Sequence, residues 1–138
     1  MSDAIEVTGL RKSYGGFEAV RGVDLHVAEG EIFAFLGPNG AGKTTTIEIL
    51  EGFRTATEGD VRVLGVDPAT APLSWREDIG IVLQQSEVSP ELTAREAVLM
   101  YSAYYEAPRP VDDVIEIVGL TDKANDRVAK MSGCLLYT

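Results

Sequence analysis

The sequence is poorest in the residues that cross-link chains or bind soft metals, with one cysteine, Cys134, and one histidine, His26. A lone cysteine excludes an internal disulfide framework, and no CxxC pair or Cys/His cluster of zinc-like spacing is present. That usage fits the cytoplasm. Long apolar runs are missing too: none approaches the roughly 20 residues that cross a bilayer. The opening Met1-Ser2-Asp3-Ala4-Ile5-Glu6 is acidic where a secretory signal is basic. Any contact with a membrane is therefore expected to run through a partner. Positive charge is also scarce, with 12 Lys and Arg against 22 Asp and Glu and a net charge of -10. Such a surface repels a nucleic-acid backbone, so no nucleic-acid partner is expected. A nucleotide is not excluded, because it needs only a local patch of donors and one or two cations. The 138 residues and 45% apolar content suit one globular domain that can bury a core.

Residues 5–27 read as two strands joined at Gly15-Gly16, an antiparallel hairpin followed by a turn at Ala28-Glu29-Gly30. Residues 31–36, Glu-Ile-Phe-Ala-Phe-Leu, form a nearly continuous apolar run, the pattern of a strand buried on both faces. The run ends in a glycine-rich loop, after which residues 43–51 have helical character and Gly52 is placed to stop them. Residues 60–65 alternate as a strand, 67–72 are turn-rich, and 79–83 read as another buried strand. From Thr93 the character changes. Thr93 and Glu96 have capping-box spacing before a helix over 97–105. Val111, Val114, Ile115 and Val118 recur at helical spacing ahead of Gly119, and a third short helical stretch covers 122–130.

The loop Gly37-Pro38-Asn39-Gly40-Ala41-Gly42-Lys43-Thr44 satisfies G-x-x-x-x-G-K-[ST]. From typical residue usage its four fixed positions coincide by accident in roughly one chain of this size in a few hundred. Here they stand between an apolar run and a helix, the context the motif needs. Gly37, Gly40 and Gly42 let the backbone take turns closed to residues with a Cβ and bring amide N–H groups up to phosphate oxygens. The helix that follows adds the positive end of its dipole. Lys43 would reach the β- and γ-phosphates, Thr44 would offer its hydroxyl to Mg²⁺, and Thr45 is placed for a further phosphate contact.

Extended to Thr45, this loop resembles that of the ATP-binding cassette (ABC) ATPases, and the resemblance runs over residues 5–133. It is most similar to subunits that power drug and antibiotic exporters. The resemblance implies an α/β chain with the phosphate-loop NTPase fold of ABC type. That fold has a mixed sheet core, an N-terminal antiparallel β region and the start of a helical subdomain, and is incomplete here. Residues 1–92 would be the first part of the ATP-binding core, 93–133 the helical subdomain and 134–138 a non-native tail. Lys12-Ser13-Tyr14-Gly15-Gly16 resembles the segment whose aromatic ring stacks on adenine, which makes Tyr14 the base platform; a surface hairpin tyrosine is the plainer alternative. Ile79-Gly80-Ile81-Val82-Leu83-Gln84 resembles the strand and glutamine that sense Mg²⁺ and the attacking water, with Gln85 as fallback for Gln84.

Lys130-Met131-Ser132-Gly133 resembles the opening of the family's Ser-Gly-Gly-Gln signature, whose Ser132 and Gly133 positions would bind the γ-phosphate held by an opposite subunit. Cys134 and Leu135 depart from it, since a Cβ crowds a phosphate and Leu lacks the polar groups of Gln. The family's Mg²⁺-binding Asp, catalytic Glu and switch His have no counterpart here, and residues 134–138 read as a foreign ending. Their absence would leave sheet edges and apolar faces uncovered.

As the intact family member, the implied function is ATP hydrolysis coupled to export through a multispan membrane permease, with a second copy of the ATPase subunit. Lys43 and Gln84 would carry the chemistry and ATP and Mg²⁺ would be the cofactors. Its place would be the cytoplasmic face of the membrane. The alternatives are a non-transport ABC ATPase, another phosphate-loop nucleotide module, or a chain that binds ATP without turnover. A GTPase lacks its usual NKxD and DxxG here.

Overall fold

The computed structural model describes residues 3–82 and 88–131. The chain divides into two compact units, Met1–Ile79 and Gly80–Thr138. The first is built on a hairpin: β1 (Asp3–Tyr14) and β2 (Phe17–Ala28) pair antiparallel, with Tyr14 opposite Phe17 across Gly15-Gly16. Helix α1 (Lys43–Leu50) follows, and β3 (Glu58–Val63) then adds to the other edge of β1, Val7 facing Val61. The sheet order is β2-β1-β3, all antiparallel.

In β3 the buried residues Val61 and Val63 are two apart, as on one face of a sheet, while in β1 a register shift between Val7 and Leu10 lets residues three apart both be buried. Val7 and Leu10 of β1, Val20 of β2, and Val61 and Val63 of β3 are buried together with Ile49 and Leu50 of α1. Trp75, in a 3₁₀ turn at Leu73–Asp78, completes this core and donates its indole N–H to the Val63 carbonyl at 3.0 Å. The polar tip of a large buried ring is thereby satisfied. Gly52 ends α1 with φ of 76°, as the sequence predicts.

Two expected strands do not form. Residues 31–36 belong to no ladder among the described residues, and Ile32 and Leu36 are 100% and 86% exposed. The described part of 79–83 is likewise outside any strand, with Val82 exposed. The physical reason is pairing. A doubly buried strand exists through ladders on its edges, both edges of β1 are taken by β2 and β3, and no described strand pairs with either run.

The second unit is helical. Helix α2 (Ala94–Ser102) and α3 (Val111–Ile117) pack through Ala94 and Ile115 over Ala124, flanked by Val98, Val111, Leu120 and Met131. The predicted third helix is instead two 3₁₀ turns, Thr121–Lys123 and Val128–Lys130. Between them the chain bonds back to the start of α2, Ala94 N–H to Asp126 O at 3.2 Å and Arg95 N–H to Ala124 O at 2.9 Å. Those backbone groups are spent outside the segment, so a continuous α-helix cannot use them. No helix among the described residues is long and apolar enough to cross a membrane.

The capping box at α2 is complete. Glu96 N–H donates to Thr93 Oγ1 at 3.2 Å, and the Glu96 carboxylate accepts from the Thr93 N–H at 2.8 Å and from its hydroxyl at 2.9 Å. These bonds, the backbone one foremost, hold the Glu96 carboxyl below its usual pKa. A lowered folded pKa contributes stability above the unfolded glutamate value, and that contribution disappears as pH falls through the folded one. Thr93→Ala should therefore cost about 1 kcal/mol near neutral pH. The part carried by the hydroxyl bond to Glu96 should vanish below the lowered value. Urea midpoints of both proteins across pH test this, and a gap that widens on acidification would contradict it.

Candidate functional site

The loop of residues 37–42 leads directly into α1, and how it is held decides what it can bind. Gly42 is the N-cap of α1 with φ of 81°, left-handed backbone that a side chain disfavours. It also lies against β2: a Cβ there would stand 2.3 Å from the Ala19 carbonyl oxygen and 3.1 Å from Val20 Cγ2. Gly40 shares the conformation, φ 82°, but faces open space. Gly37 differs from expectation. Its backbone is outside the left-handed region, and a Cβ would meet only Ala41 and Lys43 side-chain carbons at 3.7 Å, so it needs no glycine for conformational reasons.

Because Gly42 has no side chain, α1 starts without a side-chain cap, and its first turn carries no acidic residue. The first intrahelical bond runs from Thr46 N–H to Gly42 O at 2.8 Å. The amides of Lys43, Thr44 and Thr45 precede it and find no acceptor among the described residues. Three donors at the positive end of a helix dipole, uncapped and free of carboxylates, form an anion site. Pro38, Asn39, Gly40, Ala41 and Thr44 are exposed, so the site is open. Lys43 folds back over the loop and donates Nζ to the carbonyls of Gly37 at 2.6 Å and Pro38 at 2.8 Å. An ammonium has three protons, so the cation is fixed over the loop with one still to give. Thr46, one turn in, is buried and its Oγ1 has no partner.

Tyr14 stands at the hairpin end of β1 with its side of the ring open, 40% exposed. Two cations flank it: Lys12 Nζ lies 5.1 Å and Arg54 Cζ 5.8 Å from the ring centroid. Each such contact is worth about 0.5–1 kcal/mol at an exposed site. Lys12 is tied by donating to Thr55 O at 2.7 Å, and Arg54 by ion-pairing with Glu48 of α1. Sequence reasoning singled out Tyr14 but missed Glu48 and Arg54. They are six residues apart across a helix end, a spacing that no helical or strand periodicity marks. Tyr14 pairs with Phe17, and Ala19 is two residues further along β2, about 7 Å at strand rise. One hairpin therefore carries both the aromatic ring and the contact that seats the phosphate-loop helix.

Gln84, its fallback Gln85, Ser132, Gly133 and the altered positions Cys134 and Leu135 lie outside the described residues. No cluster of three or more His, Cys, Asp or Glu able to hold a metal occurs among the described residues. A cavity of about 510 Å³ opens in the helical unit, lined by Val98, Tyr101, Tyr105, Val114 and Leu120 among others. Its apolar walls suit no triphosphate.

A glycine loop, a helix start with unbonded amides and a lysine bonded to the loop carbonyls are the features of the phosphate-loop class. Residues 20–135 match the family described as ABC transporter, and the chain belongs to that family. It is 37% identical over 135 residues to Nod factor export ATP-binding protein I of Paraburkholderia xenovorans, covering 94% of this chain and 44% of that protein. It is 34% identical over 134 residues to Linearmycin resistance ATP-binding protein LnrL of Bacillus subtilis, covering 94% and 43%. The chain thus spans less than half the length of these relatives. Its fold matches an ATP-binding cassette of an ABC transporter solved in its ADP conformation, with a TM-score of 0.78 and 24% identity, covering 99% of this chain and 61% of that one. The ATP-binding subunit of another ABC transporter matches with a TM-score of 0.76 and 25% identity, over 94% and 56%.

The two loop glycines separate conformation from packing. Gly40→Ala should cost about 1–2 kcal/mol, the left-handed backbone alone. Gly42→Ala should cost more, because its Cβ also displaces the Ala19 carbonyl, a backbone atom that cannot swing aside. Chemical denaturation of both variants should place Gly42→Ala at the lower midpoint. The reverse order would mean that Gly42 is not packed against β2.

Proposed function

We propose that this chain binds ATP with its phosphates on residues 37–45 and its base against Tyr14. In the whole protein it would serve as the ATP-hydrolysing subunit of an exporter. The observation that carries the reading is the set of three adjacent unbonded amides, Lys43 to Thr45, at the end of a loop whose carbonyls hold the Lys43 ammonium. A triphosphate replaces the loop carbonyls as partner of Lys43 and satisfies the amides at once. The backbone of Pro38, Asn39, Gly40 and Ala41 wraps the β-phosphate, while Gly37 and Gly42 bound the wrap.

Thr44 is exposed on the first turn, where its hydroxyl can serve as a ligand. Without an acidic cluster among the described residues, the cation arrives with the nucleotide. This suits Mg²⁺, which is commonly held by one or two protein groups plus substrate phosphates. Bound there it would neutralise charge developing on the phosphates. Gln84 would serve as a further Mg²⁺ ligand and orient the attacking water, and Ser132 and Gly133 would meet the γ-phosphate held by a second copy. These three residues rest on the family resemblance.

A role in export is supported by the relatives, a Nod factor export and a linearmycin resistance ATP-binding protein, and the multispan membrane permease and a place at the inner face of the membrane rest on the family resemblance. The second reading, a chain that binds ATP without turnover, is separated by measuring the two activities independently.

Titration of the purified chain with MgATP should show saturable binding, with phosphate release followed in parallel. Lys43→Ala should weaken binding roughly tenfold to a hundredfold, the loss of charge-assisted hydrogen bonds worth about 1.5–3 kcal/mol. Unchanged affinity in Lys43→Ala would sink the assignment of the loop.

A further inference from the structure

We propose that Arg54, anchored by Glu48, is a positioning residue that sets the Tyr14 ring for the base of the nucleotide. The inference rests on Tyr14 being the base platform and goes beyond it by naming what holds that platform.

Tyr14 sits at the end of a two-residue hairpin with its ring exposed, and strand pairing fixes its backbone but not its side-chain torsions. A stacking platform that swings freely loses much of its affinity to ordering, so the ring needs a restraint. Arg54 supplies one. Its guanidinium lies 5.8 Å from the ring centroid. The guanidinium is itself held in fork geometry by Glu48, through Nε to Oε2 and through an Nη to Oε1 at 3.5 Å. The Arg54 backbone N–H donates to the Glu48 carbonyl at 3.1 Å, so the turn after α1 folds both residues into one unit.

Glu48 belongs to the helix whose first turn offers the phosphate amides. The chain of contacts Glu48–Arg54–Tyr14 therefore joins the phosphate end of the site to the base end through α1. Lys12, bonded to Thr55 O, braces the same ring from its own strand and leaves Arg54 as the link to α1.

The test compares MgATP with inorganic tripolyphosphate, which presents the phosphates without a base. Tyr14→Ala should weaken ATP about tenfold or more by removing base stacking, and leave tripolyphosphate within twofold. Arg54→Ala should weaken ATP roughly three- to fivefold, again sparing tripolyphosphate. Glu48→Gln should act in the same direction, and Arg54→Lys should fall between, because lysine keeps the charge but loses the fork. In a Tyr14→Ala background, Arg54→Ala should have no further effect on ATP.

If Arg54→Ala weakens tripolyphosphate as much as ATP, or still weakens ATP without Tyr14, the positioning proposal is wrong while Tyr14 keeps its place. If Tyr14→Ala leaves ATP affinity unchanged, the platform and the proposal fail together. A wild-type chain that binds neither ligand overturns the proposed function and this inference with it. Should Arg54→Ala fail to fold, Arg54→Lys and Glu48→Gln carry the same comparison.

Discussion

The site depends on one close approach, Gly42 against the carbonyl of Ala19. Helix α1 begins where its cap, Gly42, lies against Ala19 and Val20 near the start of β2. A methyl group there would push the cap off the strand and carry the loop with it. The same contact denies the helix a side-chain cap, since a capping Ser, Thr, Asp or Asn needs the Cβ that Gly42 cannot have. Packing thus creates the chemistry. The residue that lets the helix seat on the sheet is the one that leaves its first amides bare.

Bare amides at a helix start carry a cost, normally avoided by capping. Here the cost falls on the ligand-free chain, where Lys43 is occupied with the carbonyls of Gly37 and Pro38 rather than with an anion. Those two bonds and the Ala41 N–H to Pro38 O bond hold the loop in shape, while the amides of Lys43, Thr44 and Thr45 have no acceptor among the described residues. On the proposed reading, binding would exchange the carbonyl partners of Lys43 for phosphate oxygens. The overall charge of -10 does not oppose this, because the field at the loop is set by one ammonium and three aligned amides at contact distance.

Much of this was legible in the sequence. Gly15-Gly16 announced the hairpin, Thr93 with Glu96 announced the start of α2, and the loop motif with the residues after it announced the start of α1. These features are local, and each is written in residues whose conformational preference or side-chain bond acts within four positions. Residues 31–36 and 79–82 show the limit. Their apolar runs carry a demand for burial on both faces, but the demand names no partner, and β1 spends both its edges on β2 and β3. The same limit hid Glu48 and Arg54, whose meeting with Tyr14 depends on how the turn after α1 closes over the hairpin. It also hid the split of 122–130 into two 3₁₀ turns, fixed by bonds back to Ala94 and Arg95. Gly37 shows the converse, a motif glycine whose backbone has no need of one.

Helix α1 is short, eight residues from Lys43 to Leu50, and its hold on the sheet comes from Ile49 and Leu50 in the core and Gly42 on β2. Both ends are therefore fixed to the same hairpin: the N-terminus directly at Ala19, the C-terminal turn through Arg54 at Tyr14. A helix pinned at two points along one hairpin keeps a constant distance between what its two ends present. If the loop takes the phosphates and Tyr14 the base, as proposed, that distance would be the separation between phosphate and base, and the length of α1 and the register of the hairpin would together act as a gauge for the ligand. Slipping the register by one residue would turn Tyr14 to the other face of the sheet while leaving the phosphate loop intact in sequence.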